Sequence, residues 1–124
     1  MLNMQKLVAF VPTTDATKAR RFYESVLGFR VISEDQFALV LDANGTMLRV
    51  TNVQNFKPHQ FTILGWDVSN IEEAVSDLNQ RGIRSEKYGM PEQDERGVWA
   101  SPNGARVAWF KDPDGNVLSL TQFL

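Results

Sequence analysis

The sequence predicts an α+β protein that consists of two tandem copies of one β-α-β-β-β module. Two observations support this prediction. The segment DANGTMLRVT at residues 42–51 recurs as DPDGNVLSLT at residues 112–121, so both copies read D-x-N/D-G-x-M/V-L-x-V/L-T. Upstream of each copy, apolar residues recur at the spacing of a helix and end at a glycine. Repetition of both features together indicates a duplicated structural unit.

Each repeated segment predicts a tight turn that leads into a strand. Asn44-Gly45 and Asp114-Gly115 tolerate the positive φ angles of a short hairpin turn, and the residues that follow alternate in polarity. The acidic second turn also resembles a calcium loop. The EF-hand spacing and its distal glutamate are missing, so a turn is favoured.

The two apolar stripes predict helices over residues 16–27 and from about residue 70 to Arg81. Their boundaries follow from capping chemistry, because side-chain oxygens satisfy free amides at helix starts and glycine adopts the left-handed conformation at helix ends. The predicted caps are Thr14 or Asp15 for the first helix, Ser69 with Glu72 as a capping box for the second, and Gly28 and Gly82 at the two ends.

The remaining β-rich stretches complete the two modules. The predicted strands are 6–12, 30–33 and 36–41 in the first copy, and 60–68, 84–88 and 105–111 in the second, in addition to the two that follow the turns. The second copy is longer, which places an insertion at 89–104 that is either a functional lid or a solvated loop, with Val98-Trp99-Ala100 as an added hairpin arm. We expect one domain over 1–124, with module one at 4–52, a linker at 53–58 and module two at 59–124.

The composition excludes several classes of function. With 124 residues, 43% hydrophobic and 23% charged, the chain is typical of a globular domain. The net charge is -2 and the sequence contains no run of basic residues, so nucleic acid is not an expected partner. The absence of cysteine removes disulfides and thiolate chemistry. No apolar stretch is long enough for a signal segment or a membrane span, so we expect a cytoplasmic protein without a membrane partner.

Two segments together resemble the signatures of the vicinal oxygen chelate superfamily, which includes glyoxalases, bleomycin-resistance proteins and extradiol dioxygenases. They are TDA with FYESVLGF within residues 14–29, and WFKDPDGN at residues 109–116. The resemblance covers essentially the whole chain. It implies the glyoxalase-like fold, in which the two modules form a cupped mixed sheet with helices on the outer face and alternate strand residues line a cavity. It also implies a homodimer.

The resemblance implies a metal-ligand position in each first strand and each last strand. These four positions read Val8, Arg49, Ile63 and Ser119, and none is a usual divalent-metal ligand apart from the weak serine oxygen. A divalent cation about 4 Å from Arg49 would be repelled by roughly 8 kcal/mol at an effective dielectric constant of about 20. We therefore expect no metal, no other cofactor and no metal-dependent dioxygenase activity.

Strand alternation assigns side chains to the face that lines the cavity. Arg49 on this face favours a ligand carboxylate or phosphate, or else an internal salt bridge to Asp67 or to the acidic insertion. Trp109 either stacks on a flat ligand or fills core space, whereas Trp66 suits the core and Trp99 a gate. The predicted ligand-binding residues are Phe10, Arg49, Thr51, Phe61, Ile63, Trp109, Ser119 and Thr121.

Two functions are favoured, while a metal enzyme with an unrecognised site and a purely structural role stay open beside them. The more favoured is a protein that binds a small anionic or polar organic molecule without a metal; Arg49 argues against a cationic drug such as bleomycin. The alternative is a glyoxalase-like lyase or isomerase that acts on a small carbonyl or thiol-adduct substrate. In that case His59, the only histidine, or Asp67 is the general base and Arg49 stabilises an oxyanion. Both candidate bases also have structural explanations, as a surface residue and a residue near a helix cap.

Overall fold

The computed structural model describes all 124 residues, which divide into two compact units, Met1–Pro58 and His59–Leu124. Each unit contains one four-stranded mixed sheet and one main helical segment in the order β-α-β-β-β. The α+β class and the duplicated module predicted from the sequence are confirmed. Neither unit contains a helix with the length and apolar character needed to cross a membrane.

The first unit begins with a short 3-10 turn at Leu2–Met4 and continues into its sheet and helix. Its elements are β1 (Val8–Thr13), α1 (Ala16–Arg20) with a π-helical continuation (Arg21–Val26), β2 (Arg30–Glu34), β3 (Ala38–Ala43) and β4 (Thr46–Asn52). The strand order is β1-β4-β3-β2, with β1 parallel to β4 and the other pairs antiparallel. The parallel pair places the first strand of the module beside its last.

The helix of the first unit is capped by Asp15, whose carboxylate accepts a hydrogen bond of 3.1 Å from the Lys18 amide. Of the two predicted caps, the structure therefore selects Asp15 over Thr14. Gly28 has a φ of 82°, the left-handed conformation expected just beyond the end of a helix. The aromatic rings of Phe22 and Tyr23 pack edge to face, with centroids 4.9 Å apart. The fully buried core side chains of this unit include Val11, Tyr23, Leu39, Leu41, Leu48 and Val50.

The second unit repeats the topology with a shorter edge strand. Its elements are β5 (Thr62–Asp67), α2 (Ile71–Gln80), β6 (Trp99–Ala100), β7 (Arg106–Lys111) and β8 (Val117–Gln122), in the sheet order β5-β8-β7-β6. Trp66 stacks on buried Phe110 with ring centroids 6.0 Å apart, which places this tryptophan against the core as predicted.

Two predictions for the second unit are wrong. The N-cap of α2 is Asn70 and not Ser69, because the Asn70 side chain lies one residue nearer the helix and accepts a bond of 3.1 Å from the Glu73 amide. Residues 84–88 do not form a strand. They make one backbone hydrogen bond to β7, from Glu86 N to Trp109 O at 2.7 Å. The edge of β7 pairs instead with β6, which is the hairpin arm predicted within the insertion.

Both repeated turns are present where the sequence predicts them. In the first, Gly45 has a φ of 95° and donates its amide to the Asp42 carboxylate at 2.8 Å. In the second, the buried Asp112 carboxylate accepts hydrogen bonds from the amides of Asp114 and Asn116 and from the Asn116 side chain. All three of these hydrogen bonds hold the turn, as expected if the segment is a structural turn and not a calcium loop.

Candidate functional site

In each unit, one face of the sheet is buried under the helical segment, and we call the opposite face the open face. On β4, Leu48 and Val50 are buried, with exposures of 1% and 0%, whereas the residue before them, Met47, is 39% exposed. Alternation therefore places Met47, Arg49 and Thr51 on the open face of the first unit, as predicted. The same face carries Val8 and Phe10 from β1, which are 39% and 63% exposed.

Arg49 lies in the middle of this apolar surface. It is paired in register with Phe10 on β1 and Val40 on β3. Within the first unit its guanidinium makes no salt bridge, whereas Arg30 pairs with Asp42 at 3.3 Å. The pKa of Asp35 is lowered mainly by hydrogen bonds from the amides of Ala38 and Phe37, and further by the charge of Arg49. Arg49 therefore acts on Asp35 only at long range.

Thr51 follows Arg49 on the same face of β4. Its hydroxyl oxygen is buried and has no hydrogen-bond partner, the one such buried side-chain atom in the chain. Residues two apart on a strand are about 7 Å apart. The open face of the first unit thus carries a guanidinium without an ion pair in an apolar surround, and next to it lies a hydroxyl that is shielded from solvent and has no partner.

The open face of the second unit is arranged in two rows across the sheet. One row runs from Gly65 on β5 through Ser119 on β8 to Trp109 on β7. The next row runs from Asp67 through Thr121 to Val107, which pairs with Trp99 on β6. Each row therefore has a hydroxyl in its centre and a tryptophan on the side of β6 and β7.

The tryptophans belong to a three-membered aromatic cluster, which we call the aromatic wall (Tyr88, Trp99 and Trp109). The ring of Tyr88 meets Trp109 edge-on, with centroids 5.5 Å apart, and Trp99 lies 6.0 Å from Trp109 at a tilt of 39°. The pKa of Tyr88 is raised by partial burial and then by the charge of Glu86. Trp109 was predicted to lie on this face; the contribution of Tyr88 was missed, because residues 84–88 read as a strand.

Gly65 packs closely against Ser119. A Cβ atom at this glycine would lie 2.8 Å from the Ser119 hydroxyl oxygen, closer than any normal contact. The Ser119 side chain is 7% exposed and makes no hydrogen bond in the structure. The Ser119 hydroxyl therefore fills the space that a side chain at position 65 would occupy.

The two candidate bases lie at opposite ends of β5. His59 precedes the strand, is exposed and stacks on Phe61 with ring centroids 4.6 Å apart. Ile63 lies at a register irregularity between Thr62 and Leu64, so the predicted alternation from His59 to Asp67 is interrupted there. Asp67 is exposed and, with Ser69 and Glu73, lines an open depression of about 450 Å³ beside the start of α2.

The residues at the metal-ligand positions do not fit a metal centre. Val8 and Ile63 carry no donor atoms, Arg49 is cationic, and Ser119 offers one neutral hydroxyl. No group of three histidine, cysteine or acidic side chains suitable for a metal ion occurs in the chain.

Comparison with known proteins identifies the family. The model of the Glyoxalase/Bleomycin resistance protein/Dioxygenase superfamily matches residues 6–120. No curated protein sequence matches the chain significantly.

Solved structures share the fold over nearly the whole chain. A glyoxalase family protein from Enterococcus faecalis is 22% identical with a TM-score of 0.79, over 98% of this chain and 100% of that one. A bleomycin-binding protein crystallised with bleomycin is 23% identical with a TM-score of 0.75, over 97% and 99%. A superfamily member from Sphaerobacter thermophilus is 26% identical with a TM-score of 0.73, over 97% and 99%. The chain therefore belongs to the glyoxalase, bleomycin resistance protein and dioxygenase superfamily.

Proposed function

We propose that the protein binds a small organic molecule with an anionic or polar group, and that it does so without a metal ion. One observation carries the proposal: Arg49 has no ion pair within its unit, and the buried Thr51 hydroxyl beside it has no partner. A buried hydroxyl without a partner costs about 1–3 kcal/mol, so a side-chain shift that brings it to a ligand oxygen recovers this energy on binding.

The chemistry of these two groups defines the ligand. A guanidinium offers a planar fork of donors that matches the two oxygens of a carboxylate or phosphate. The hydroxyl of Thr51 adds a third donor on the same face. The apolar neighbours Val8, Phe10 and Met47 suit the hydrocarbon part of an organic anion. The proposed binding residues are those predicted from the sequence, taken unit by unit: Phe10, Arg49 and Thr51 in the first, and Phe61, Ile63, Trp109, Ser119 and Thr121 in the second.

The charges on this face argue against a cationic ligand. Asp42 also occupies the open face of the first unit, but Arg30 already neutralises it. The bleomycin-binding protein with the same fold supports small-molecule binding as a use of this architecture. The unpaired cation at Arg49 favours an anion over bleomycin as the ligand of this chain.

Binding is tested by thermal shift and calorimetry with two probes, benzoate and inorganic phosphate, on the wild-type protein and Arg49→Leu. We expect at least one probe to raise the melting temperature of the wild type and to lose about tenfold in affinity in Arg49→Leu. Arg30→Leu is the matched control, because it removes the same charge from a residue that already has a carboxylate partner. Equal losses in both variants, or no binding of either probe, would refute the proposal.

The absence of a metal requirement has its own test. Elemental analysis of the purified protein is expected to find no stoichiometric zinc, nickel, manganese or iron. Benzoate binding is expected to survive treatment with a chelator. A stoichiometric metal that is lost in His59→Ala would contradict this part of the proposal.

A second candidate function rests on Asp67. This carboxylate makes no salt bridge and lines an open depression, in the same row of the sheet as the Thr121 hydroxyl. These features suit a general base in a glyoxalase-like lyase or isomerase. Turnover of the methylglyoxal–glutathione adduct that disappears in Asp67→Asn or His59→Ala would favour the enzyme. No turnover by the wild type would eliminate this candidate for that substrate.

We also propose that the protein is a homodimer. Phe10, Ile32 and Phe37 of the first unit are 63%, 50% and 64% exposed, which is a large amount of exposed apolar surface for so small a chain. Size-exclusion chromatography with light scattering is expected to give twice the chain mass of 14.1 kDa. A monomer at micromolar concentration would contradict this proposal.

A further inference from the structure

Two opposite charges of the first unit lie near each other and have no ion pair. The guanidinium of Arg49 makes no salt bridge within this unit. The carboxylate of Asp35, in the turn between β2 and β3, is exposed and makes none either. The neighbouring carboxylate of Glu34 differs, because Arg20 binds it at 2.7 Å. Asp35 and Arg49 are therefore an unpaired anion and an unpaired cation on the same sheet.

The turn holds the Asp35 side chain in a fixed position. Its Oδ1 atom accepts hydrogen bonds from the amides of Phe37 and Ala38 at 2.8 and 2.9 Å. The amide of Asp35 itself donates to Ala38 O at 3.1 Å. The Oδ2 atom makes no hydrogen bond. One oxygen of this carboxylate thus anchors the turn, and the other is available to a donor from outside.

The register of the sheet brings this turn towards Arg49. Val40 lies opposite Arg49, and Ala38 lies two residues before Val40 on the same strand. Since Asp35 bonds to Ala38, it lies two strands across and about two residues along from Arg49. The two backbones are then roughly 12 Å apart, and an extended arginine side chain covers about half of this distance.

The electrostatics agree with this placement. The pKa of Asp35 is lowered first by its amide hydrogen bonds and further by the charge of Arg49, so the two groups lie within electrostatic reach of each other. They are nevertheless too far apart to form a salt bridge. On the open face between them, Val40 and Ala38 are apolar and buried, so neither charge finds another protein partner there. A gap of a few ångströms remains between an anion and a cation.

We propose that the ligand of the first unit is a zwitterion, an organic carboxylate with an ammonium group close to it, and that Asp35 is the residue that selects for the ammonium group. The inference rests on the proposed function and narrows its ligand class. The carboxylate of the ligand binds the guanidinium of Arg49, and its ammonium group donates to the Oδ2 atom of Asp35. Each of these charge-assisted hydrogen bonds spans about 2.8 Å, so a short zwitterion bridges the gap. An α-amino acid has this arrangement of charges.

The test is calorimetry on the intact protein with phenylglycine and mandelate. These two carboxylates have nearly the same shape, and the ammonium group of the first replaces the hydroxyl of the second. We expect phenylglycine to bind about threefold more tightly at neutral pH and low salt, because an exposed ion pair contributes little. The preference is expected to disappear at about 1 M salt, where the Debye length is about 3 Å. Equal affinities at low salt, or tighter binding of mandelate, would overturn the inference.

The role of Asp35 is measured as the ratio of the two affinities, which a general loss of stability does not change. Asp35→Asn removes the charge but keeps a side-chain oxygen for the amides of the turn. It is expected to abolish the preference and to leave the affinity for mandelate within about twofold of the wild type. A preference that survives in Asp35→Asn would overturn the role assigned to this residue.

Asp42→Asn is the matched control. Asp42 also lies on the open face, diagonally across from Arg49, but Arg30 already pairs with it at 3.3 Å. Its replacement acts equally on the two probes, because both are carboxylates, so the preference for phenylglycine is expected to remain. An equal loss of preference in Asp42→Asn and Asp35→Asn would show a general effect of negative charge and would overturn the inference.

The remaining outcomes separate this inference from the proposed function. Binding of benzoate or phosphate with no preference for phenylglycine over mandelate overturns the zwitterion and leaves the anion site intact. Arg49→Leu is expected to weaken phenylglycine and mandelate alike about tenfold. Phenylglycine binding that does not depend on Arg49 would lie elsewhere and would also overturn the inference. Failure of benzoate, phosphate, mandelate and phenylglycine alike refutes both proposals.

Discussion

Replacing Thr51 by valine is expected to stabilise the protein while weakening its ligand binding. The Thr51 hydroxyl oxygen is buried and lacks a partner, which costs about 1–3 kcal/mol, and valine has nearly the same shape without the polar atom. We expect the free energy of unfolding to rise by about 1 kcal/mol. For a chain of 124 residues this corresponds to an increase in melting temperature of about 3–5 °C. Most single substitutions have the opposite sign, so this prediction is specific.

Urea unfolding followed by tryptophan fluorescence measures the change, and calorimetry with benzoate measures the expected loss of affinity. Thr121→Val is the matched control, because Thr121 holds the equivalent position of the repeat but its hydroxyl is not among the buried atoms without a partner. The control is expected to change stability by less than about 0.5 kcal/mol. The reasoning is refuted if Thr51→Val lowers stability, or if both variants gain equally.

Three further predictions concern stability. The pKa of Asp35 is lowered from 3.8 in the folded state, chiefly by amide hydrogen bonds, so its stabilising effect is present above the unfolded pKa and is lost as the pH falls through the folded pKa. Urea unfolding should therefore show that the deficit of Asp35→Ala relative to the wild type is largest near neutral pH and shrinks as the pH falls into the acidic range; a deficit that does not change with pH would contradict this. Asn70→Ala should lower the free energy of unfolding by about 1 kcal/mol and Ser69→Ala by much less, since Asn70 caps α2; the reverse order in chemical unfolding would restore Ser69 as the cap. Gly65→Ala should lower the melting temperature and the double variant with Ser119→Ala should recover part of it, because the new Cβ meets the Ser119 hydroxyl at 2.8 Å; additive losses would argue against this clash.

Local patterns in the sequence predicted most of the fold. The two Asp-x-Asn/Asp-Gly turns and the helix-ending glycines at 28 and 82 have backbone requirements that only a few residue types meet, so these residues mark their positions in any context. Alternation on β4 likewise identified Arg49 and Thr51 as residues of the open face. These features depend on neighbours within a few positions of the chain.

Competition between distant segments could not be predicted in the same way. Residues 84–88 have the composition of a strand, but residues 99–100 form the pairing with β7, and only the folded unit decides which segment occupies that edge. The missing partner of the Thr51 hydroxyl is also a property of the complete structure, because it depends on every group packed around it. The Gln93 side chain makes three hydrogen bonds, to Glu86 O, Gly97 O and Tyr88 N. They depend on the same complete structure, and the periodicity of the sequence does not predict them.

The two-residue strand β6 has a consequence for the behaviour of the protein at high concentration. A long, flat outer strand offers its free amides and carbonyls to other chains and is a common starting point for aggregation. β6 ends at Ala100, and residues 84–88 cover the adjoining part of β7 with a single backbone bond. The border of this sheet is therefore short and shielded, which disfavours strand addition by a neighbouring molecule.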